Sequence, residues 1–249
     1  MMSDCNQALT WRSSPSGDSC LSLEFASVLS LEANRKVAAA AAILNQARRE
    51  GWLQGVTDIV PGMVTVGLHY RPELIPTDCS GSSPYSVLEH KVSVLLQGKD
   101  CGSSSERRLI EIPVCYGGEY GPDLDKVARE CGLSAGSLIE IHTSEWLDVL
   151  MLGFAPGHPY IGILDPRLTP PRLDTPRTLV KKGSIGLANR QSVIYPVDSP
   201  GGWSLIGRTP LRMFNPEDAS PCALQMGDSV RFVAIGTAQF EAIFAEENA

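Results

Sequence analysis

Residues 183–210 read GSIGLANRQSVIYPVDSPGGWSLIGRTP. Three short, mainly apolar runs, 184–187, 192–195 and 205–206, are separated by Gly, Pro, Asn and Ser. Runs this short are strand-sized, and Gly and Pro at their ends favour turns, so the stretch reads as β-strands joined by tight loops. The pattern extends on both sides, through 149–154 and 161–164 upstream and 210–214 and 229–235 downstream. It predicts a β-barrel or sandwich with long loops.

The N-terminal part has another rhythm. Residues 8–13 and 20–25 alternate apolar and polar, as half-buried strands do. Ser30 offers an N-cap to a helix over 31–50, in which Leu31, Val37, Ala38, Ala41, Leu44 and Ala47 recur at near-helical spacing. Arg48 and Arg49 suit its negative end, and Gly51 suits its stop. Residues 56–60, the turn Pro61-Gly62 and 63–70 read as a hairpin, 84–96 as a second helix and 97–106 as a polar linker. Strand, helix, hairpin, helix and strand make a ferredoxin-like α+β order. The expected domains are a small α+β unit over 1–104 and a mainly-β unit over 105–249. The second opens with a strand at 108–114 and two short helices. Pro122 and Gly132 bracket the first helix, and Ser134 caps the second, which ends near His142.

The chain has 249 residues and a net charge of −7, unevenly spread. Between His158 and Pro216 eight Arg and Lys face three Asp, giving +5 and leaving −12 for the rest. Ten of the 18 prolines and eight glycines fall in nearly the same stretch, so the basic charge sits on loops, where it suits a carboxylate or phosphate. The acidic total argues against nucleic acid as partner. The longest apolar run, 37–44, is eight residues, against the ~20 a bilayer span needs, and no basic flank leads into an apolar run at the N-terminus. Seven scattered cysteines, never in C-x-x-C, predict free thiols and a cytoplasmic protein.

Phosphate-loop, nucleophile-elbow, H-E-x-x-H and dinucleotide-binding motifs are absent, and the four histidines share no metal-ligand spacing. No bound metal is expected. Three loops invite chemistry instead. His158 lies in Gly153-Phe154-Ala155-Pro156-Gly157-His158-Pro159-Tyr160, where Gly157 frees the backbone and Pro159 fixes the residue before it. A histidine held there can bond an anion or transfer a proton. The second loop runs from Lys181-Lys182-Gly183 through Arg190-Gln191 to Tyr195, and the third from Gly201-Gly202-Trp203 to Arg208. Their glycines bare N–H groups to an anion, and Arg208 offers a two-pronged fork.

At these loops the sequence resembles a known family. Residues 111–123 (EIPVCYGGEYGPD), 150–162 (LMLGFAPGHPYIG), 164–178 (LDPRLTPPRLDTPRT), 183–186 (GSIG) and 194–210 (IYPVDSPGGWSLIGRTP) resemble the PxpB/KipI family. This family comprises the B subunit of bacterial ATP-dependent 5-oxoprolinase, also called allophanate hydrolase subunit 1. The resemblance implies a cyclophilin-like barrel behind the small α+β domain. It implies work alongside the A and C subunits, the latter homologous to this chain. Together they would couple ATP hydrolysis, with magnesium shared among partner subunits, to opening of the 5-oxoproline lactam. No biotin is expected on this chain.

The expected substrate- or anion-binding residues are Phe154, Gly157, His158, Pro159, Tyr160, Lys182, Arg190, Gln191, Tyr195, Gly201, Gly202, Trp203 and Arg208; no catalytic group is singled out. The sequence departs from the family pattern at the same loops: Gly157-His158-Pro159-Tyr160 replaces G-F-P-Y, Lys181-Lys182-Gly183-Ser184 replaces P-A-G-S, and Asn189-Arg190-Gln191-Ser192-Val193 replaces G-G-Q-T-G. The added charge points to another amide or acid. Two rival roles belong to the same family: inhibition of a sensor histidine kinase, and a carboxyltransferase or allophanate-hydrolase role on a different small amide.

Overall fold

The computed structural model describes residues 9–77, 81–99 and 107–247. The chain divides into two units, Met1–Glu106 and Arg107–Ala249.

In the first unit, strands β1 (Arg12–Pro15), β2 (Cys20–Glu24), β3 (Val56–Pro61) and β4 (Thr65–Tyr70) form one antiparallel sheet in the order β1-β2-β4-β3. Helices α1 (Leu31–Arg49) and α2 (Pro84–Leu96) complete it. Leu21 and Leu23 of β2 and Val66 and Leu68 of β4 are fully buried, the period of two that a one-faced sheet requires. Val37, Ala40, Ala41 and Leu44 of α1 and Leu88, Val92 and Leu96 of α2 supply the helical side of the core. The Ser30 side chain accepts the Ala33 N–H, capping α1 where the sequence puts it.

Two local expectations change. The first strand forms at Arg12–Pro15, because the Ser16 N–H donates to Cys20 O and closes a turn that pairs Pro15 with Leu21. The strand after α2 does not return to this sheet; β1 holds the edge beside β2 instead. Most of the expected polar linker, 100–106, lies outside the described residues.

The second unit is a closed barrel. Its strands are β5 (Leu109–Tyr116), β6 (Leu147–Leu152), β7 (Pro159–Gly162), β9 (Ser184–Ala188), β10 (Gln191–Ile194), β12 (Ser204–Arg208) and β13 (Ser229–Ala234). Around the wall the order is β10-β7-β6-β13-β5-β12-β9, antiparallel except for the parallel pair β13–β5. A separate two-stranded ribbon joins β8 (Arg177–Val180) to β11 (Ser199–Gly201). Helices α3 (Leu124–Glu130) and α4 (Ala135–Thr143) lie between β5 and β6 in the chain, and α5 (Thr237–Glu247) follows β13.

Alternation sorts the wall residues. Ile161, Ile185, Leu187, Ile194 and Ile206 point inward, to a core shared with Ile112, Val149, Val230, Phe232 and Leu138 of α4. Their chain neighbours Tyr160, Ala188, Val193 and Leu205 point outward, yet Ala188, Val193 and Leu205 are also buried, packed with Val180 of the ribbon, Tyr195 and Trp203. A second core on the outer wall explains why every residue of β9 is buried. The two ribbon strands, of which β11 is only Ser199-Pro200-Gly201, and α5 were not among the elements expected from sequence, and 210–214 contributes only an isolated bridge, Phe214 to Cys222. Cys20, Cys115, Cys131 and Cys222 are free thiols; Cys5, Cys79 and Cys101 lie outside the described residues.

Candidate functional site

The β6–β7 loop is wound tightly. His158 N–H donates to Ala155 O and Gly153 N–H to His158 O, both at 3.1 Å. Gly157, at φ 75°, lies against the backbone of Met213: a β-carbon there would come within 2.9 Å of Met213 O and 2.8 Å of Phe214 Cβ. Only glycine satisfies both demands. The winding turns Phe154 outward, 67% exposed at φ 74°, and His158 inward, 2% exposed.

Three rings surround the imidazole, with centroids at 5.3 Å (Phe154), 5.1 Å (Tyr160) and 5.2 Å (Tyr195). Burial pushes the His158 pKa down to about 4, so the ring is neutral at neutral pH. Its Nδ1 is buried with no hydrogen-bond partner among the described residues. Trp203 extends the shelf, 6.1 Å from Tyr160, and the exposed Arg172 guanidinium stands 5.7 Å from the Trp203 ring. Burial raises the Tyr160 and Tyr195 pKa values; the positive charge of Arg172 partly offsets that at Tyr160, as a hydrogen bond with the Trp203 backbone and then Arg172 do at Tyr195. The Tyr195 phenol rests on Gly201, where no β-carbon fits. Gly202 O accepts the Leu173 N–H at 2.8 Å, tying the Arg172 segment to the shelf. Asp123 anchors the ribbon from below: it pairs with Arg177 and accepts the Leu205 N–H, each at 2.7 Å.

Phe154, Gly157, His158, Pro159, Tyr160, Tyr195, Gly201, Gly202 and Trp203 thus form one neighbourhood. Lys182 and Arg208 belong to another. Arg208 Nε donates to Lys182 O at 2.8 Å, and its guanidinium faces Phe240 and Phe244 of α5 at 5.8 and 5.7 Å. The crevice beside them, lined by Lys182, Gly183, Arg212 and Phe244 among others, holds about 20 Å³. Arg190 and Gln191 lie at the far end of β10 from Tyr195, about 13 Å along a strand of that length. Arg190 sits at φ 61° in the β9–β10 turn and donates to Leu164 O, while Gln191 pairs with Gly162 and Ala188 in the ladder. Of the three groups, the second touches the first through the backbone, where the Gly183 N–H donates to Tyr195 O at 2.7 Å, and the third lies at the other end of β10.

Two features have no counterpart among the expected site residues. Arg172 was one basic residue among eight, with nothing local to connect it to Trp203. His142, at the end of α4, is buried inside the barrel and stacked on Phe232 at 4.3 Å. The Gly186 carbonyl can only accept, so Ser192 donates to it, accepts from His142 Nε2, and leaves Nδ1 to accept the Tyr116 hydroxyl at 2.7 Å. Burial holds its pKa down to about 3. This histidine is fully bonded and structural.

Among the described residues no group of three or more His, Cys, Asp or Glu could hold a metal ion. A nucleotide does not fit the basic crevice either, since about 20 Å³ admits no more than a water. A polar cleft of about 300 Å³ in the first unit, lined by Trp11, Ser13, Ser86, Glu89, His90 and Ser93, carries the Glu89 carboxylate, accepting from Ser13, and suits an anion poorly.

Comparison with known proteins locates this architecture. The family described as the carboxyltransferase domain, subdomain C and D, matches residues 11–224. The 5-oxoprolinase B subunit of Bacillus subtilis is 37% identical over 232 residues, 93% of this chain and 96% of the relative. That of Escherichia coli O157:H7 is 40% identical over 212 residues, 84% and 92% of the two. The crystal structure of TTHA0988 superposes with a TM-score of 0.74 at 33% identity; the match covers 87% of this chain but only 40% of that one. The chain belongs to the 5-oxoprolinase B-subunit family, built on the carboxyltransferase C and D subdomains.

Proposed function

We propose that this chain is the B subunit of an ATP-dependent lactam hydrolase that opens 5-oxoproline to glutamate, together with the A and C subunits, the latter its homologue. Relatives of the same length support the reaction. One observation carries the location: the shelf of Tyr160, Tyr195 and Trp203 over a buried neutral histidine, with Arg172 at its rim. A small cyclic amide acid needs an apolar face for its methylenes and a cation for its carboxylate, and the shelf offers both. Binding there excludes water from one face of the ring and fixes its orientation. ATP and magnesium are shared with the other subunits on this reading, and the crevice lined by Lys182 and Phe244 is too small to hold a nucleotide by itself.

On this reading the first unit is ferredoxin-like, with β1 in the place of the usual last strand, and the barrel is cyclophilin-like. The complex works in the cytoplasm, which the free thiols support. The test is glutamate release from 5-oxoproline and ATP with each subunit omitted in turn. Turnover that requires this chain is the expected result. An assembled complex without turnover overturns the substrate.

A further inference from the structure

The described part of the barrel buries two histidines, and they differ in one respect. His142 has a partner for each ring nitrogen. His158 is 2% exposed, and its Nδ1 has none among the described residues. A buried polar atom left unbonded is destabilising, so folded proteins seldom keep one unless something outside the chain completes it.

The surroundings of His158 repeat the same message. Phe154 lies edge-on to the imidazole, held at φ 74° and 67% exposed. A non-glycine residue in that region is strained, and an apolar ring in water is costly as well. Phe154, packed against the imidazole, is therefore the least settled residue of the shelf. Tyr160 and Tyr195 close the sides, and Arg172 stands beyond Trp203. The ring is neutral, and a neutral imidazole keeps one nitrogen as an acceptor.

We infer that His158 Nδ1 determines the specificity of this pocket by accepting the ring N–H of a small cyclic secondary amide, with Phe154 turning aside to admit it. This rests on the proposal that the shelf receives the amide, and narrows it to amides that carry an N–H. The ring proton of His158 is then on Nε2. His158 binds and orients; no proton is transferred.

The test uses the assembled complex with this chain labelled by ¹⁵N in its histidine rings, the His158 signals being assigned by their loss in His158→Phe. The probes are 5-oxoproline, 2-pyrrolidinone and N-methyl-2-pyrrolidinone. Both N–H lactams are expected to shift the Nδ1 resonance, and the N-methyl compound is not. His158→Phe should weaken binding of the N–H lactams about tenfold, the worth of one hydrogen bond, while the N-methyl lactam is unaffected and the melting midpoint does not fall. Should the phenylalanine variant fail to fold, His158→Gln keeps an acceptor and should keep the discrimination. A silent Nδ1, or an equal response to the N-methyl lactam, overturns the inference. If 2-pyrrolidinone shifts Nδ1 but 5-oxoproline is not turned over, the pocket stands and the substrate falls. Turnover of 5-oxoproline with a silent Nδ1 leaves the function and removes His158 from it.

Discussion

The Tyr195 ring and the backbone of Gly201 are in direct contact: a β-carbon at 201 would lie 2.7 Å from the phenol's Cζ. The contact fixes the ribbon strand β11 against the outer wall of the barrel and sets the height of the shelf. Gly201→Ala must therefore push the tyrosine or the ribbon away. A loss of about 1–3 kcal/mol is expected, the usual cost of overpacking, read as a lower urea midpoint, together with weaker lactam binding.

Asp123 holds the same ribbon from the other side. It is largely buried, pairs with Arg177 and accepts the Leu205 N–H, so Asp123→Ala strands a cation and a backbone donor. The expected cost is about 3 kcal/mol, as for other broken, largely buried pairs. Asp123→Asn, which still accepts the N–H, should lose less. Equal losses in urea unfolding would assign the whole effect to the charge.

Arg172 is exposed at the rim of the shelf, over the Trp203 ring. Arg172→Ala should raise KM for a lactam acid about tenfold, the worth of a charge-assisted bond at a partly exposed site, with an unchanged melting curve. Binding of a lactam without a carboxylate should not change. An equal loss for both ligands would assign Arg172 to packing on Trp203.

Acid should loosen the barrel through its histidines. Folding lowers the His142 pKa to about 3 and that of His158 to about 4, from about 6.5 in the open chain. The unfolded state then binds protons that the folded state refuses. This contribution to stability is complete above the unfolded value and is lost as pH falls from about 6.5 toward the folded values, by up to about 1.4 kcal/mol per pH unit for each ring. Urea unfolding between pH 7.5 and 4.5 measures the slope. His142→Gln should lower stability at neutral pH and make the curve flatter; an unaltered slope would remove His142 from the effect.

Helix α5 is held by Phe240, its one fully buried side chain among the described residues, by half-buried Phe244 over the cations Lys182 and Arg208, and by Tyr120, which packs on Phe240 and donates to Glu241. So few buried contacts predict easy local opening. Hydrogen exchange should find the α5 amides exchanging at least about a hundredfold faster than those of β9, whose residues are all buried.

The sequence was most readable where one physical rule acts alone. The cap at Ser30, the stripe of α2 and the alternation of β2 are local, and the structure has all three. The loops were harder. Three glycine-bearing loops of one basic segment read as one site because composition carries no distance; β10 puts Tyr195 and Arg190 at opposite ends, and α5 packs on Arg208. Helix α5 has a weak amphipathic pattern and no Gly or Pro at its end, so little marked it. Arg172 and His142 take their surroundings from residues distant in the chain, which no local spacing records. His158 could be singled out because glycine and proline flank it, but its missing bond partner is a property of packing.

The parallel pair β13–β5 also governs how this unit is made. Ser229 pairs with Leu109 and Ala234 with Val114, so a ladder between the first and last barrel strands closes the wall. Closure across so long a loop is slow, and no local contact can anticipate it. On the ribosome the other six strands are synthesised before their final neighbour exists. The inward faces of β5 and β6 stay open to water, or to a chaperone, until residues 229–234 emerge, and a chain released before that point has a barrel without its last stave.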